Sequence, residues 1–144
     1  MGLAMQPVYR HEFTVGQDAI DENGHVNNVV YVQWMQDMAI LHSNTAGCTD
    51  TTRQIGAMWV ARSHKIEYLS PAFAGDRIEA LTWVVNFRKV RSLRRYKFVR
   101  VSDQAVLARG ETDWVFMDAG KGRPRVIPEE VSGAFTLVGE DQQP

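Results

Sequence analysis

The chain of 144 residues contains a single cysteine, Cys48, which excludes an internal disulfide. A lone thiol with no evident base near it is a weak nucleophile candidate, so we expect Cys48 to be structural or incidental. No stretch approaches the roughly 18 consecutive apolar residues of a membrane-spanning helix. The first residues lack the basic and apolar regions of a secretory signal. We therefore expect a cytoplasmic protein with no membrane partner.

An excess of one charge is also missing, because 16 Lys and Arg residues face 17 Asp and Glu residues. No overall field favours a polyanion, and we expect no nucleic-acid partner. The length fits one domain covering residues 1–144. Its ends, about residues 1–6 and 139–144, are expected to be loose.

Metal-ligand motifs are absent as well. The four histidines have spacings that fit no such motif. A calcium loop beginning at Asp21 fails, because Val26 stands where glycine is needed and Val32 where the bidentate glutamate belongs. The sequence predicts no metal site and no resident cofactor.

Acid, amide and imidazole side chains are concentrated in residues 21–34, which read DENGHVNNVVYVQW. Asn23-Gly24 is a strong signal for a tight turn, and on that interpretation Asp21 is only a turn residue. The residues that follow do not alternate as a returning strand would. Apolar side chains recur with helical spacing over residues 29–46, which predicts a helix directly after the turn.

The predicted helix has recognisable ends, since Asn27 or Asn28 fits its N-cap and Gly47 its C-terminal stop. Five strands are predicted from β-branched and aromatic residues bounded by turn residues. They cover residues 7–16, 57–69, 77–88, 92–102 and 104–117, with loops at 45–54 and 119–128. Short connections between the last four strands favour antiparallel neighbours.

This order of elements predicts the α+β class, with one helix packed on an antiparallel sheet. One helix covers one face and leaves the sheet edges to be protected. Because pairing with a second copy is a common protection, we expect a homodimer at minimum.

The order of the predicted elements and the sequence motif around Asp21 resemble those of the hotdog-fold thioesterases, in particular the 4-hydroxybenzoyl-CoA thioesterase group. The resemblance spans nearly the whole chain and implies a five-stranded antiparallel sheet wrapped around one long helix. It also implies thioester hydrolysis at interfacial sites of a homodimer or homotetramer. Its anchors are Asp21, Gly24, His25, Val26, Asn27, Asn28 and Tyr31, with weaker ones at Tyr68, Pro71 and Asp76.

In that family the acid three residues before the glycine is the catalytic carboxylate, which here is Asp21. Two positions depart from the family's pattern: Ala19 replaces a second acid of many members, and Gln36 stands where a helix glutamate is frequent. The stretch also resembles the acyl-ACP thioesterases, which use acid, amide and imidazole together, matched here by Asp21, Asn23 and His25. The carrier of the acyl group stays open between CoA and ACP.

Thioester hydrolysis needs a carboxylate that attacks the carbonyl or activates water, and donors for the oxyanion. Asp21 can supply the first, and backbone N–H groups near Asn28 can supply the second from a helix N-terminus. His25 either assists this chemistry or caps the loop. Asn23 either orients water or only completes the turn, and Tyr31 either lines the acyl pocket or belongs to the core.

The phosphates of CoA require positive charge, and seven of the 16 basic residues fall within residues 88–100. In the related family an adjacent basic residue and serine in this connection bind the nucleotide phosphates, and Arg91 and Ser92 are the matching pair. Arg123 and Arg125 are candidates to join them from the late loop. The alternative is an ordinary solvated strand face.

Two other functions use the same scaffold. Hydratases and dehydratases also have the hotdog fold, although the Gly-His-Val-Asn-Asn motif favours hydrolases. A binding module that holds an acyl thioester without turnover is the second. The favoured prediction is a thioesterase that releases free acid and CoA, with the acyl group left open.

Overall fold

The computed structural model describes residues 6–144, so most of the expected loose end at residues 1–6 lies outside it. Strand β1 (Tyr9–Thr14) and a 3-10 turn (Gln17–Ala19) precede the long helix α1 (Asn28–Ala46) and a short helix α2 (Cys48–Gln54). The remaining elements are β2 (Ala57–Tyr68), β3 (Arg77–Arg88), β4 (Arg91–Arg100), β5 (Val106–Asp118), β6 (Arg123–Pro124), α3 (Glu129–Ser132) and a 3-10 turn (Glu140–Gln142). No helix within residues 6–144 has both the length and the apolar character needed to cross a membrane.

All strand pairings are antiparallel, in the order β1-β3-β4-β5-β2, with β6 paired to the end of β5. The register shifts within the β2–β5, β3–β4 and β4–β5 pairings. Such irregularities bend and twist strands, which helps the sheet to curl around α1. The α+β class, with a curled antiparallel sheet around one long helix, is thereby confirmed.

Helix α1 begins and ends with the predicted caps. The side chain of Asn27 accepts a hydrogen bond from Val29 N, and Gly47 ends the helix in the left-handed conformation, with φ of 81°. In the middle of α1, Met35 is fully buried against Gly110 of β5, where an added Cβ would lie 2.8 Å from the Met35 sulfur. The helix and the sheet therefore approach more closely at Gly110 than a larger residue permits.

The loop predicted at residues 45–54 is wrong, because the chain restarts as helix α2 directly after Gly47. Local hydrogen bonds and apolar packing hold this segment in place. The Thr49 hydroxyl lies 2.6 Å from the Asn44 side-chain oxygen, and Cys48 is buried in a small apolar cluster. Tertiary packing of α2 thus overrides its loop-like composition. Helix α3 was likewise not predicted.

Residues 139–144, which we expected to be loose, instead lie against the outer face of the sheet. The Arg95 guanidinium donates to Glu140 at 3.1 Å and to the side chain of Gln143 at 2.9 Å. Just before them, Val138 is buried. It belongs to an outer-face cluster with Leu81, Trp83 and Val99.

Candidate active site

The residues around Asp21 form a small hairpin before α1. Gly24 N donates to the Asp21 carbonyl at 3.0 Å, and Asp21 N donates to the His25 carbonyl at 3.1 Å. Ile20 pairs with Val26 below the turn, and Gly24 has φ of 83°, which suits glycine. A tight turn at residues 21–24 therefore leads into the helix that begins at Asn28, as the two sequence signals predict.

The carboxylate of Asp21 is partly buried and is held by one local hydrogen bond. Its Oδ1 accepts from Asn23 N at 2.9 Å. Within residues 6–144, no Lys, Arg or His forms a salt bridge with Asp21, and Oδ2 has no hydrogen-bond donor. This oxygen remains open to a water molecule or a substrate.

The side chains of Asn23 and His25 lie beside Asp21 but are not bonded to it. Asn23 is exposed, and in the described part of the chain its amide group makes no hydrogen bond. Nδ1 of His25 lies 3.4 Å from the Val26 carbonyl, a weak local contact. The structure therefore gathers the three side chains at one turn without linking them into a triad.

The N-terminus of α1 supplies one free backbone donor. Asn27 Oδ1 accepts from Val29 N at 2.9 Å, and the Asn27 carbonyl accepts from Val30 N at 3.0 Å. No acceptor within residues 6–144 pairs with Asn28 N. The Tyr68 hydroxyl donates to the Asn28 carbonyl at 2.7 Å and holds this turn in place. Because the helix dipole adds to its polarity, the Asn28 N–H is suited to a developing oxyanion.

Tyr31, a candidate for the acyl pocket, belongs to the core. It is 2% exposed and packs edge-on against Trp34, Tyr68 and Phe98. Burial raises the pKa of Tyr31 to about 12, with the neighbouring Tyr68 adding to the effect. Its hydroxyl is buried and has no hydrogen-bond partner among the described residues.

Arg91 and Ser92 are adjacent on β4 and therefore point to opposite faces of the sheet. Arg91 is exposed and forms a two-pronged ion pair with Asp113, which also binds Arg62 at 3.3 Å. The Arg91 hydrogen bond holds the pKa of Asp113 below its usual range. Ser92 is buried, and its hydroxyl donates to the Asn86 carbonyl at 2.8 Å. One subunit does not bring the pair together on a common surface.

Arg91 also lies far from the hairpin. Arg100, at the other end of β4, donates to the carbonyl of Pro71, and the adjacent Ala72 carbonyl accepts from Val26 N of the hairpin. The ten residues of β4 extend about 30 Å at the usual rise of a strand. Arg91 and the hairpin therefore occupy opposite ends of the sheet within one subunit.

Arg125, the candidate from the late loop, has a local structural partner. Its Nη1 donates to the Ile55 carbonyl at 2.6 Å, and its guanidinium lies 6.0 Å from the centroid of the Phe116 ring. These contacts fasten the segment after β5 to the end of α2. Arg123, in the two-residue strand β6, is exposed.

A cavity of about 490 Å³, which the sequence pattern does not predict, lies between α1, α2 and the inner face of the sheet. Gln36, two turns into α1, lies at its wall, and so do Trp59 of β2 and the buried Arg94 of β4. The alternation of β4 contained the signal for Arg94, which shares the inward face with Ser92 and Tyr96. The count of basic residues over 88–100 alone does not distinguish Arg94 from its exposed neighbours.

Among residues 6–144, no group of three or more His, Cys, Asp and Glu side chains is arranged to hold a metal ion. The hairpin and the start of α1 present a carboxylate, an imidazole, an amide and a helix N-terminus.

The sequence profile of the Thioesterase-like superfamily matches residues 15–135 of the chain. The chain belongs to this superfamily. The match includes the hairpin, α1 and strands β2 to β5, and it confirms the thioesterase resemblance seen in the sequence. A search of the curated proteins by sequence found no match.

Solved structures with the same fold include several thioesterases, and they show that the chain has the hotdog fold. The 1,4-dihydroxy-2-naphthoyl-CoA thioesterase Slr0204 from Synechocystis is 16% identical, with a TM-score of 0.79 over 88% of this chain and 94% of that one. A Staphylococcus aureus protein, SAV2348, solved in complex with CoA, is 16% identical, with a TM-score of 0.80 over 93% and 85%. The 12:0-ACP thioesterase from Umbellularia californica is 20% identical, with a TM-score of 0.80 over 95% of this chain and 55% of that one.

Proposed function

We propose that this superfamily member hydrolyses an acyl-CoA thioester to free acid and CoA. The observation that carries the proposal is an open carboxylate oxygen on Asp21 in the hairpin that leads into α1, whose first residue, Asn28, has an unpaired N–H. These two groups are what the reaction requires, namely a base or nucleophile and an oxyanion donor.

The Asn28 N–H polarises the thioester carbonyl, and the dipole of α1 strengthens it. In the general-base route Asp21 takes a proton from water while the water oxygen bonds to the carbonyl carbon. Collapse of the tetrahedral oxyanion breaks the carbon–sulfur bond, and the departing thiolate receives the proton from Asp21. In the nucleophilic route the Asp21 carboxylate displaces the thiolate to form an anhydride, which water then hydrolyses. Asn23 and His25 flank the turn and are proposed to contact the reacting group.

We further propose that the active sites lie between the subunits of a homodimer or homotetramer. β2 is a twelve-residue strand at the edge of the sheet, and no described strand pairs with its outer side. Its side chains Met58 and Val60 are 40% and 41% exposed. A long strand edge with an unpaired outer side is a template for pairing, so a second copy is the partner that this edge fits.

For the phosphates of CoA we propose the cluster of Arg62, Arg91 and Asp113. Two guanidinium groups share one carboxylate there, which leaves one positive charge uncompensated. Because this cluster lies far from the hairpin of its own subunit, it is expected to serve the hairpin of another subunit.

An acyl-ACP substrate is the alternative, supported by the match of Asp21, Asn23 and His25 to the acid, amide and imidazole of those enzymes. Release of free thiol from matched acyl-CoA and acyl-ACP substrates, with short, long and aromatic acyl groups, tests the proposal. Faster release from acyl-CoA is expected. No thiol release from either carrier would instead favour a binding module or a dehydratase-type reaction.

A further inference from the structure

Arg94 is a charged side chain in the protein interior. It is 5% exposed and points from β4 toward α1. Its Nη1 lies 2.8 Å from Nδ1 of His42 and 3.1 Å from the Thr82 hydroxyl, and its guanidinium lies 5.3 Å from the centroid of the Phe135 ring. The side chain is therefore held in one position by groups from three parts of the chain.

None of these partners carries a negative charge. Burial, with the nearby Arg94 adding to it, lowers the pKa of His42 to about 3, so the imidazole is neutral and accepts a hydrogen bond at Nδ1. Burial also lowers the pKa of Arg94, but a guanidinium remains protonated in proteins. Within residues 6–144 no Asp or Glu forms a salt bridge with Arg94. A buried charge without a counter-ion is costly, which makes this arrangement unusual for a purely structural residue.

The unpaired charge lies at the wall of the 490 Å³ cavity. Aromatic and aliphatic side chains, Trp59, Trp114, Phe87 and Ile40 among them, form most of the wall, and no acidic residue contributes to it. Nε and Nη2 of Arg94 have no hydrogen-bond acceptor in the described part of the chain. An apolar cavity with one fixed cation is complementary to an apolar molecule that carries one anionic group.

We propose that this cavity binds a carboxylate carried on an apolar chain or ring, with Arg94 as its anion-binding residue. A carboxylate matches the planar guanidinium with two parallel hydrogen bonds, and its single charge balances the single buried cation. The second arginine in the wall, Arg53, is exposed and therefore hydrated.

The proposed function gives two possible sources of this carboxylate, and the choice between them rests on that function. The carboxylate is either the far end of the acyl group of a thioester substrate or the free acid that hydrolysis releases. In the first case Arg94 determines specificity, and in the second it causes product retention.

Binding is tested without turnover, by titrating the full chain with decanoic acid and with decanamide in a calorimeter. The two probes share a chain and differ in the charge that Arg94 recognises. We expect the acid to bind at least about tenfold more tightly, as a charge-assisted hydrogen bond implies. Equal affinities, or no binding of the acid, would overturn the proposal even if the protein hydrolyses thioesters.

Two variants locate the effect. Arg94→Met should reduce the preference for the acid to about one, whereas Arg94→Lys should keep part of it because the charge remains. Circular dichroism checks that each variant is folded. If folded Arg94→Met still prefers decanoic acid to decanamide as strongly as the wild type does, the anion site lies elsewhere. If Arg94→Met does not fold, the affinities of acid and amide for the wild type and for Arg94→Lys still test whether Arg94 binds the carboxylate.

The source is identified by kinetics, using decanoyl-CoA and the mono-CoA thioester of decanedioic acid. If the carboxylate belongs to the substrate, the second thioester shows the higher kcat/KM and Arg94→Met abolishes that advantage. If it belongs to the product, decanoic acid inhibits the wild type at concentrations that do not inhibit Arg94→Met. The binding proposal fails if Arg94→Met changes neither the kcat/KM advantage of the second thioester nor the inhibition by decanoic acid. If the protein hydrolyses no thioester but still binds decanoic acid, only the proposed function is rejected.

Discussion

Nη1 of Arg94 lies 2.8 Å from Nδ1 of His42 in the interior of the protein, between β4 and α1. The imidazole also stacks on Tyr9 and packs edge-on against Phe135. A second proton on His42 would remove the acceptor that Arg94 uses and place two positive charges side by side. The folded protein is therefore built around a neutral imidazole at this position.

The burial of His42, together with the nearby Arg94, predicts that the free energy of unfolding falls in acid. The folded pKa of His42, about 3, is below the ordinary value of 6.5, so between these pH values the unfolded chain binds the extra proton. The free energy of unfolding then decreases by about 1.4 kcal/mol for each pH unit below 6.5. Urea unfolding should show a loss of roughly 1.5 to 2 kcal/mol from this group between pH 6.5 and 5.

The matched control is His42→Asn, which keeps an acceptor near the Nδ1 position but does not titrate. Its stability at neutral pH is expected to be lower, with a weaker dependence on pH. An equally steep dependence in the variant would show that other groups cause the acid sensitivity.

The oxyanion donor can be tested through the backbone, because Asn28 is the first residue of α1. Proline is tolerated at that position and removes the N–H, and Asn27, with φ of −62° and ψ of 134°, has the extended conformation that precedes proline. Asn28→Pro should lower kcat about 100- to 1,000-fold with unchanged helix content, as for other lost oxyanion donors. Asn28→Ala keeps the N–H and should remain active. Equal activity of the two variants would remove this N–H from the mechanism.

Arg91→Gln should raise KM for acyl-CoA severalfold while kcat changes little, because a phosphate contact remote from the reacting bond acts on binding. Arg10→Gln is the control, since Arg10 is another exposed arginine in an ion pair, with Glu79. A thioester of 3′-dephospho-CoA should show a smaller difference between wild type and Arg91→Gln. Unchanged KM in Arg91→Gln would move the phosphate site away from β4.

Activity should depend on association if the sites lie between subunits. Val60→Lys places a charge on the exposed face of the edge strand β2 and should shift the protein toward monomers in sedimentation velocity. Specific activity should fall in parallel with the dimer fraction as the protein is diluted. A fully active monomer would contradict the interfacial site.

The sequence predicted α1 closely because its signals are local. Helical spacing over residues 29–46 and the caps at Asn27 and Gly47 agree with the observed Asn28–Ala46. Strand β3 was predicted with its observed bounds for the same reason. Helix α2 was missed, because it is stabilised by contacts with α1 and the sheet that its composition does not indicate.

The candidate site was predictable to a different degree. The turn at Asp21 and the helix start at Asn28 lie within eight consecutive residues, so a short sequence motif is enough to predict both. Arg94 and His42 are 52 positions apart, and only tertiary packing joins them. Composition also failed to separate the buried Arg94 from the exposed Arg91, because the distinction depends on which face of β4 meets α1.

Thiol release from an acyl-CoA substrate by the wild type, Asp21→Asn and Glu22→Gln tests whether Asp21 is the catalytic carboxylate. The two variants remove one carboxylate each from neighbouring positions of the same turn, and Glu22 is exposed. We expect Asp21→Asn to lose about 100- to 10,000-fold in kcat, in line with general acid–base contributions, and Glu22→Gln to retain the wild-type rate. Wild-type activity in Asp21→Asn would exclude Asp21 as the catalytic base or nucleophile.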